Sequence, residues 1–496
     1  MPIWLEKFLP ILLLLTVVAI VLARLPKVEG VNHSDAFRRR RVMNWLPLGF
    51  IYAFLYMGRY NLKVSQHGFG DILHNGAPLM TNADFAAIFA AGTITYGCSF
   101  IFNGPLTDRI GGRKAILIGG AGSMVMNLAL GLVTLAITSG SSLRDTFADN
   151  LTPLFSVIYA VNMYFQSFGA VAIVKCNAPW FHVRERGVFG AIFGILISLG
   201  IYFAFDWSFM IMKALSLPWV FLAPSILLAI TWVIVFVKVK DTPGEAGHDD
   251  FDTADASSGD DGPQLDAIAV FKKMVSNPVI MTIACVEFCS GFLRQAIMQW
   301  FRTFAKQTDA VLHLKDSFVY DNWGMLLCAA GIMGGVVAGI ISDRVFQSRR
   351  GPVAAILYAL MLLGAIAMAF TYQMGFVGWT VVLMSMCVIG VHGMLSGTAS
   401  MDFGGKKNVG VAVGIIDGFV YAGTGFMAVL YGIILPDDAS GAAAIPDNWQ
   451  IWPISMIPVA AIGLVLAKRL WDAKPGQKPS TPAPQDSTGR GSRAPA

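Results

Sequence analysis

Long apolar runs separated by short polar segments govern this chain from end to end. Runs of spanning length fall at 9–25, 44–64, 84–104, 115–137, 153–177, 188–212, 217–239, 278–303, 319–341, 352–372, 376–398, 409–434 and 449–468. About 20 apolar residues carry a helix across the hydrocarbon core, so the pattern predicts thirteen membrane helices. The polar intervals alternate in charge. FRRRRV (37–42), TDRIGGRK (107–114), VRERG (183–187), SDRVFQSRRG (342–351), GGKK (404–407) and KRLWDAK (468–474) all fall on one side. The alternating loops, such as HGFGDILHNGAPLMTN (67–82), carry few Lys or Arg. The positive-inside bias makes the basic side cytoplasmic and puts both ends of the twelve later spans, the C-terminus included, inside.

The first run differs from the rest. Arg24 and Lys27 follow it, and little positive charge precedes it beyond the amino terminus and Lys7. It is expected to enter with its N-terminus outside, as an extra anchor over residues 1–36. A cleaved signal peptide is the competing reading, although the charge stands on the wrong flank and no A-x-A-like site follows. Two other segments do not read as membrane. Residues 240–265 are acidic and rich in Gly, Ser and Pro, and the tail from Lys474 is polar and Pro-rich, compositions that favour disorder. The expected organisation is therefore the anchor, a six-helix half over 37–239, a flexible cytoplasmic linker over 240–276, a second six-helix half over 277–473, and a disordered cytoplasmic tail over 474–496. The fold class is all-α and polytopic.

Composition agrees. Hydrophobic residues make up 55% of the 496 and charged ones 14%, against about a quarter charged in soluble chains. A net charge of +5 fits basic loops and requires no nucleic-acid partner. The six cysteines lie in apolar runs and read as small buried hydrophobes. No CxxC, HExxH or Walker-type glycine loop is present, so neither a metal, a cofactor, ATP-driven pumping nor enzymatic activity is expected.

A six-plus-six chain invites a search for duplication. NGPLTDRIGGRK from Asn103 and AGIISDRVFQSRRG from Ala338 share the form G-x-x-x-D-R, with their aspartates, Asp108 and Asp343, 235 residues apart. Adding that offset to Arg59, in FLYMGRYNLK, lands on Arg294, in GFLRQAIMQW. Each arginine lies about 23 Å from the cytoplasmic end of its span, beyond the bilayer midplane. Two guanidinium groups facing each other in a central cleft make an anion site, and each grips phosphate with two parallel hydrogen bonds. The competing reading pairs each arginine with a carboxylate. Glu287, seven residues before Arg294, and Asp417 are the intramembrane candidates, either for charge compensation or for coupling. His392 reads first as a hydrogen-bonded packing histidine and second as a proton relay.

These motifs carry a family resemblance. NGPLTDRIGGRK resembles the loop 2–3 signature of the major facilitator superfamily, and SDRVFQSRRG its degenerate repeat. FLYMGRYNL, FLRQAIMQW, AGIMGGVVAGIISDRVFQSRRG and MDFGGKKNVGVAVG resemble the organophosphate:phosphate antiporter family, which includes the glycerol-3-phosphate and hexose-phosphate transporters. The resemblance covers the twelve core spans and not residues 1–36. It implies two six-helix halves around a cleft and a multi-pass protein of the inner (cytoplasmic) membrane. It further implies a substrate phosphate held by Arg59 and Arg294, with Lys175 aligned to a basic residue of the fourth span. Phe100 stands where the glycerol-phosphate transporters have lysine, and Pro179 where the family has a fourth-span histidine.

The expected substrate-binding set is therefore Arg59, Arg294, Lys175, Tyr60 and Lys63. Lys63, one turn after Arg59, either extends the basic surface or snorkels to the outer interface. Asp108, Arg109, Arg113, Asp343 and Arg344 are expected to latch the cytoplasmic side, with the aspartates capping neighbouring helices. The expected function is exchange of a small organic anion, an organophosphate, for inorganic phosphate by alternating access. Proton-coupled carboxylate symport and a transporter-like sugar-phosphate sensor remain open beside it. A monomer in the bilayer is expected, with the extra N-terminal helix available to a partner.

Overall fold

A computed structural model of the protein describes residues 34–182, 186–251, 253, 267–346 and 349–472, with Phe8, Ile11, Leu12 and Thr16 from the first run. The side chains of 186–193, 267, 268, 270, 273, 340, 343, 344 and 397–410 lie outside the description. The first half comprises α1 (Asp35–Phe69), α2 (Asn82–Ile110), α3 (Gly112–Thr138), α4 (Leu151–Gln166) continued by α5 (Phe168–Asn177), α6 (Arg186–Tyr202) continued by α7 (Ser208–Ala214), and α8 (Trp219–Lys238). A short helix, α9 (Ala267–Val275), leads into the second half: α10 (Pro278–Gln307), α11 (Trp323–Ile340), α12 (Arg350–Thr371), α13 (Val377–His392), α14 (Ser400–Ile434) and α15 (Ile451–Arg469).

Among the described residues, ten helices are long and apolar enough to cross a membrane, and α11 supplies a shorter apolar one. The expected span at 44–64 lies within α1, which falls outside those ten for a physical reason. Asn44, Arg59, Asn61, Lys63, Ser65 and Gln66 are all buried in it, turned toward protein instead of lipid. The expected run at 9–25 lies almost wholly outside the described residues. Of its neighbours, the Phe8 ring meets Trp207 edge-on at 4.9 Å.

The helix ends follow local chemistry. At α2, Thr81 and Asp84 form a reciprocal capping box, with Thr81 N donating to Asp84 at 3.0 Å and Asp84 N to Thr81 Oγ1 at 3.2 Å. Asn277 caps α10, with Pro278 at its first position. Between α2 and α3 the chain turns at Gly111, φ 89°, a left-handed value that a side chain resists. There Asp241 receives the Arg113 amide at 2.7 Å, and this carboxylate, from beyond α8, caps α3.

The segment expected to be a flexible linker is narrower than 240–276. The Lys240 carbonyl accepts from Asn44 Nδ2 at 3.1 Å and Trp180 Nε1 at 3.3 Å, and Phe251 meets Phe37 at 5.7 Å. Residues 267–275 are helical. Acidic composition did not reveal that aromatic and carbonyl groups at each edge have partners on the helix bundle.

The repeat is visible in contacts. Gln295 Nε2 donates to the Tyr60 hydroxyl at 2.9 Å, and Lys306 pairs with Asp71 at 2.7 Å; both pairs are 235 residues apart. Equivalent positions meet in this way only beside an axis relating two halves. The halves also meet where α2 lies on α14 and α6 on α11.

Candidate functional site

Arg59 is fully buried, on the face of α1 turned to the centre. Its Nε donates to Gln166 Oε1 at 2.9 Å, Nη2 to the Tyr96 hydroxyl at 2.9 Å and Nη1 to the Tyr421 hydroxyl. Its guanidinium lies 4.5 Å from the ring centres of Tyr56 and Tyr96, within cation–π range. None of these partners is a carboxylate. Three of its five N–H groups are engaged, and the remaining two lie on the terminal nitrogens.

A polar lattice holds this arginine in place. The Gly58 carbonyl accepts from Asn162 at 3.0 Å and Asn127 at 3.2 Å, and Tyr159 donates to the Arg59 carbonyl at 2.9 Å. Gln166 Nε2 reaches Ser123 at 3.1 Å, and Ser123 donates to Asn162 at 2.6 Å. Thus α1 is pinned to α3 and α4 through amides, which keep their charge state at every pH.

Arg294 is different. It is 7% exposed, on α10, and its Nε and Nη2 have no hydrogen-bond partner among the described residues. These atoms form the edge of a guanidinium that grips an oxyanion side-on through two parallel bonds. Tyr56, Tyr60, Tyr421 and Glu287 lie within its electrostatic reach. Tyr60 stands between the arginines in sequence and space, bonded to Gln295, the neighbour of Arg294.

The carboxylates expected to compensate the arginines have other hydrogen-bond partners. Glu287 Oε2 accepts from His392 Nδ1 at 2.9 Å, while its Oε1 is buried without a partner among the described residues. Asp417 accepts from the Ser396 hydroxyl. The carboxylate-paired reading of Arg59 therefore gives way to a neutral cage.

Two expected site residues lie apart from the arginines. Lys175 is nine residues past Gln166, about 13 Å further along the helix, where it pairs with Asp108 at 2.8 Å. Lys63 is buried with its ammonium 4.0 Å from the Phe85 ring centre and 4.4 Å from that of Trp300, donating to Gln66 at 2.6 Å. It neither snorkels nor faces the arginine pair. In the expected latch, Asp108 engages Lys175, Arg109 is exposed, and Arg113 donates from Nη2 to the Phe236 carbonyl at 2.6 Å. The backbone of Asp343 and Arg344 forms part of a π-helical turn, and their side chains lie outside the description.

At the end of the bundle away from the basic loops, the halves are joined by ionic and polar contacts. Arg302 donates to the Tyr320 carbonyl at 2.6 Å and lies 3.6 Å from Asp206, which also receives the Gly324 and Met325 amides at 2.8 and 2.9 Å. Asn82 donates to Gln307 at 3.0 Å and, through its amide, to Asp438 at 2.9 Å.

Sequence reading singled out Arg59 and Arg294 and missed the cage around Arg59. Ser123/Asn127 and Asn162/Gln166 are polar residues four apart inside apolar helices, a detectable sign of one inward polar face. Tyr421 left no such sign, because it meets Arg59 across 362 residues.

A family model described as Major Facilitator Superfamily matches residues 48–429. The chain is 23% identical to a glycerol-3-phosphate transporter of Bacillus subtilis (strain 168), over 90% of this chain and 96% of that protein. It is 25% identical to the membrane sensor protein UhpC of Salmonella typhimurium, over 81% of this chain and 87% of that one. A probable hexose phosphate transport protein of Chlamydia trachomatis serovar D is 22% identical, over 77% and 81% respectively.

Proposed function

This chain belongs to the major facilitator superfamily, and from that premise we propose that it carries a small organophosphate across the membrane in exchange for inorganic phosphate. The observation that carries the proposal is Arg294, a buried guanidinium with an unpartnered phosphate-gripping edge, in the repeat position of Arg59. The names of the relatives, a glycerol-3-phosphate transporter and a hexose phosphate transport protein, support an organophosphate.

The two arginines divide the work. Arg59, held by Gln166, Tyr96 and Tyr421, offers a fixed terminal edge. Arg294 offers its side edge. A phosphate between them receives charge-assisted bonds from both halves and draws them together. An empty pair of cations is reluctant to approach, since like charges repel strongly in a low-dielectric site. Closure around a bound anion, and opening on the other side, is alternating access. The contacts from Arg302, Asn82 and Asp206 join the halves at the end away from the basic loops, and they would have to break for that end to open.

Full-length protein in proteoliposomes preloaded with inorganic phosphate tests this. Labelled phosphate, glycerol-3-phosphate or glucose-6-phosphate should enter only against internal phosphate. Uptake without internal phosphate would overturn exchange. The similarity to a protein named as a sensor favours one second reading, which saturable binding with no flux would select.

A further inference from the structure

We propose that the Glu287–His392 pair is a proton-binding site that fills together with the anion, making the proton a second ligand of the transporter. The inference rests on the phosphate site proposed above, which it deepens.

Glu287 is completely buried, seven residues before Arg294 on α10 and so on nearly the same helical face, about 10 Å nearer the basic end. His392 holds Glu287 Oε2 at 2.9 Å, and the other carboxylate oxygen, Oε1, is buried with no partner among the described residues. An acceptor atom so placed has a ready use, which is to hold a proton. The imidazole keeps 21% of its side-chain surface exposed, whereas the Glu287 side chain has none. The groups around the pair complete the charge balance. Asp417 on α14 lies within electrostatic reach of His392, Glu287 and Arg294. Tyr358 on α12 and Cys289 on α10 also lie within reach of Glu287. Both are neutral near pH 7 by their ordinary values.

Two carboxylates, Glu287 and Asp417, thus stand near two arginines, but their hydrogen-bond partners are His392 and Ser396, so the guanidinium groups still repel at close approach. A phosphate dianion brings two negative charges. One of them is offset when a proton from water at the basic end adds to His392 Nε2 or, through the pair, to Glu287 Oε1. Anion binding thus raises the proton affinity of the pair, and by reciprocity the proton tightens anion binding. Intramembrane carboxylate and histidine groups are suited to this role.

The test uses full-length protein and inorganic phosphate, with protons followed by a pH dye in weak buffer. Wild type should take up about one more proton per phosphate bound than Glu287→Gln, because the difference between variants cancels phosphate's own ionisation. His392→Gln should lose the same proton, and both variants should still bind phosphate. Equal proton uptake in wild type and both variants, with phosphate bound, would overturn the proposal. A parallel acid titration of the ligand-free protein separates this inference from the functional reading. If phosphate does not bind at all, the reading of the anion site fails. The proton site then stands if wild type takes up a proton between about pH 8 and 6 that Glu287→Gln does not, and falls if the two curves coincide.

Discussion

Replacing each arginine by lysine separates the two roles that the geometry gives them. In Arg294→Lys the charge stays, but the two-pronged edge at Nε and Nη2 becomes a single ammonium. One charge-assisted hydrogen bond to phosphate is lost, worth about 1.5–3 kcal/mol, so phosphate affinity should fall roughly 10- to 150-fold. Those atoms have no partner among the described residues, so thermal stability of the ligand-free protein should be unchanged. Arg59→Lys loses the same grip and also abandons Gln166, Tyr96 and Tyr421, which one ammonium cannot span. Leaving a buried acceptor such as Gln166 Oε1 unmet costs about 1–3 kcal/mol, and this variant should unfold at a lower temperature as well as bind weakly. Titration calorimetry with inorganic phosphate and thermal unfolding by intrinsic fluorescence, on purified full-length variants, read the two effects. Wild-type phosphate affinity in Arg294→Lys, or equal destabilisation in both variants, would refute the division of roles.

Asp206→Asn should loosen the end sealed by Arg302. Loss of about 1.5–3 kcal/mol of charge-assisted bonding should raise labelling of a cysteine introduced at Gln299, from the non-basic side, at least tenfold; unchanged labelling would remove Asp206 from the seal. Asp241, the cap of α3, is pushed above the usual carboxylate range by burial. Stability contributed by its protonated form is fully present below about pH 4 and lost as pH rises through the raised value. Asp241→Asn should therefore lose less unfolding temperature than wild type between about pH 4 and 7; parallel curves would contradict this. A reporter fused to the N-terminus should read as outside and one fused after Ala36 as inside. An N-terminus on the cytoplasmic side would overturn the reverse-anchor expectation.

What the sequence disclosed depended on whether the cause was local. Span length and loop charge are local, so the twelve-helix core could be read directly, and one offset of 235 residues led from Arg59 to Arg294. The neutral cage depends on Tyr421 reaching across from the other half, and no pattern within α1 encodes that. Lys175 was drawn into the site by alignment alone. Counting residues along its helix puts it about 13 Å toward the basic end from Gln166, where Asp108 was available. Asp108 was expected to cap a neighbouring helix and pairs with Lys175, while the cap of α3 comes from Asp241, a residue beyond α8 that no motif marked.

The same offset also explains why one arginine is caged and the other bare. Tyr56 and Tyr96, whose rings flank Arg59, correspond 235 residues on to Gly291 and Gly331. A Cβ at Gly291 would lie 1.9 Å from the Val420 carbonyl oxygen, and one at Gly331 would lie 2.8 Å from Ser198 Oγ. In the second half, then, the positions that would hold caging tyrosines are given over to close helix contact, of α10 with α14 and of α11 with α6. The duplication has kept the charge and discarded the cage. This asymmetry would suit a carrier, because two fully caged arginines would have their hydrogen bonds met by their cages without substrate. A pair with one fixed and one unmet guanidinium leaves the final bonds to the anion. The restoring variant Gly291→Ala would therefore test helix contact and not substrate grip. It should weaken the α10–α14 approach and lower unfolding temperature, while Arg294, still bare, retains phosphate affinity within about threefold. A loss of affinity as large as that of Arg294→Lys would mean that the close approach itself, and not the free guanidinium edge, builds the site.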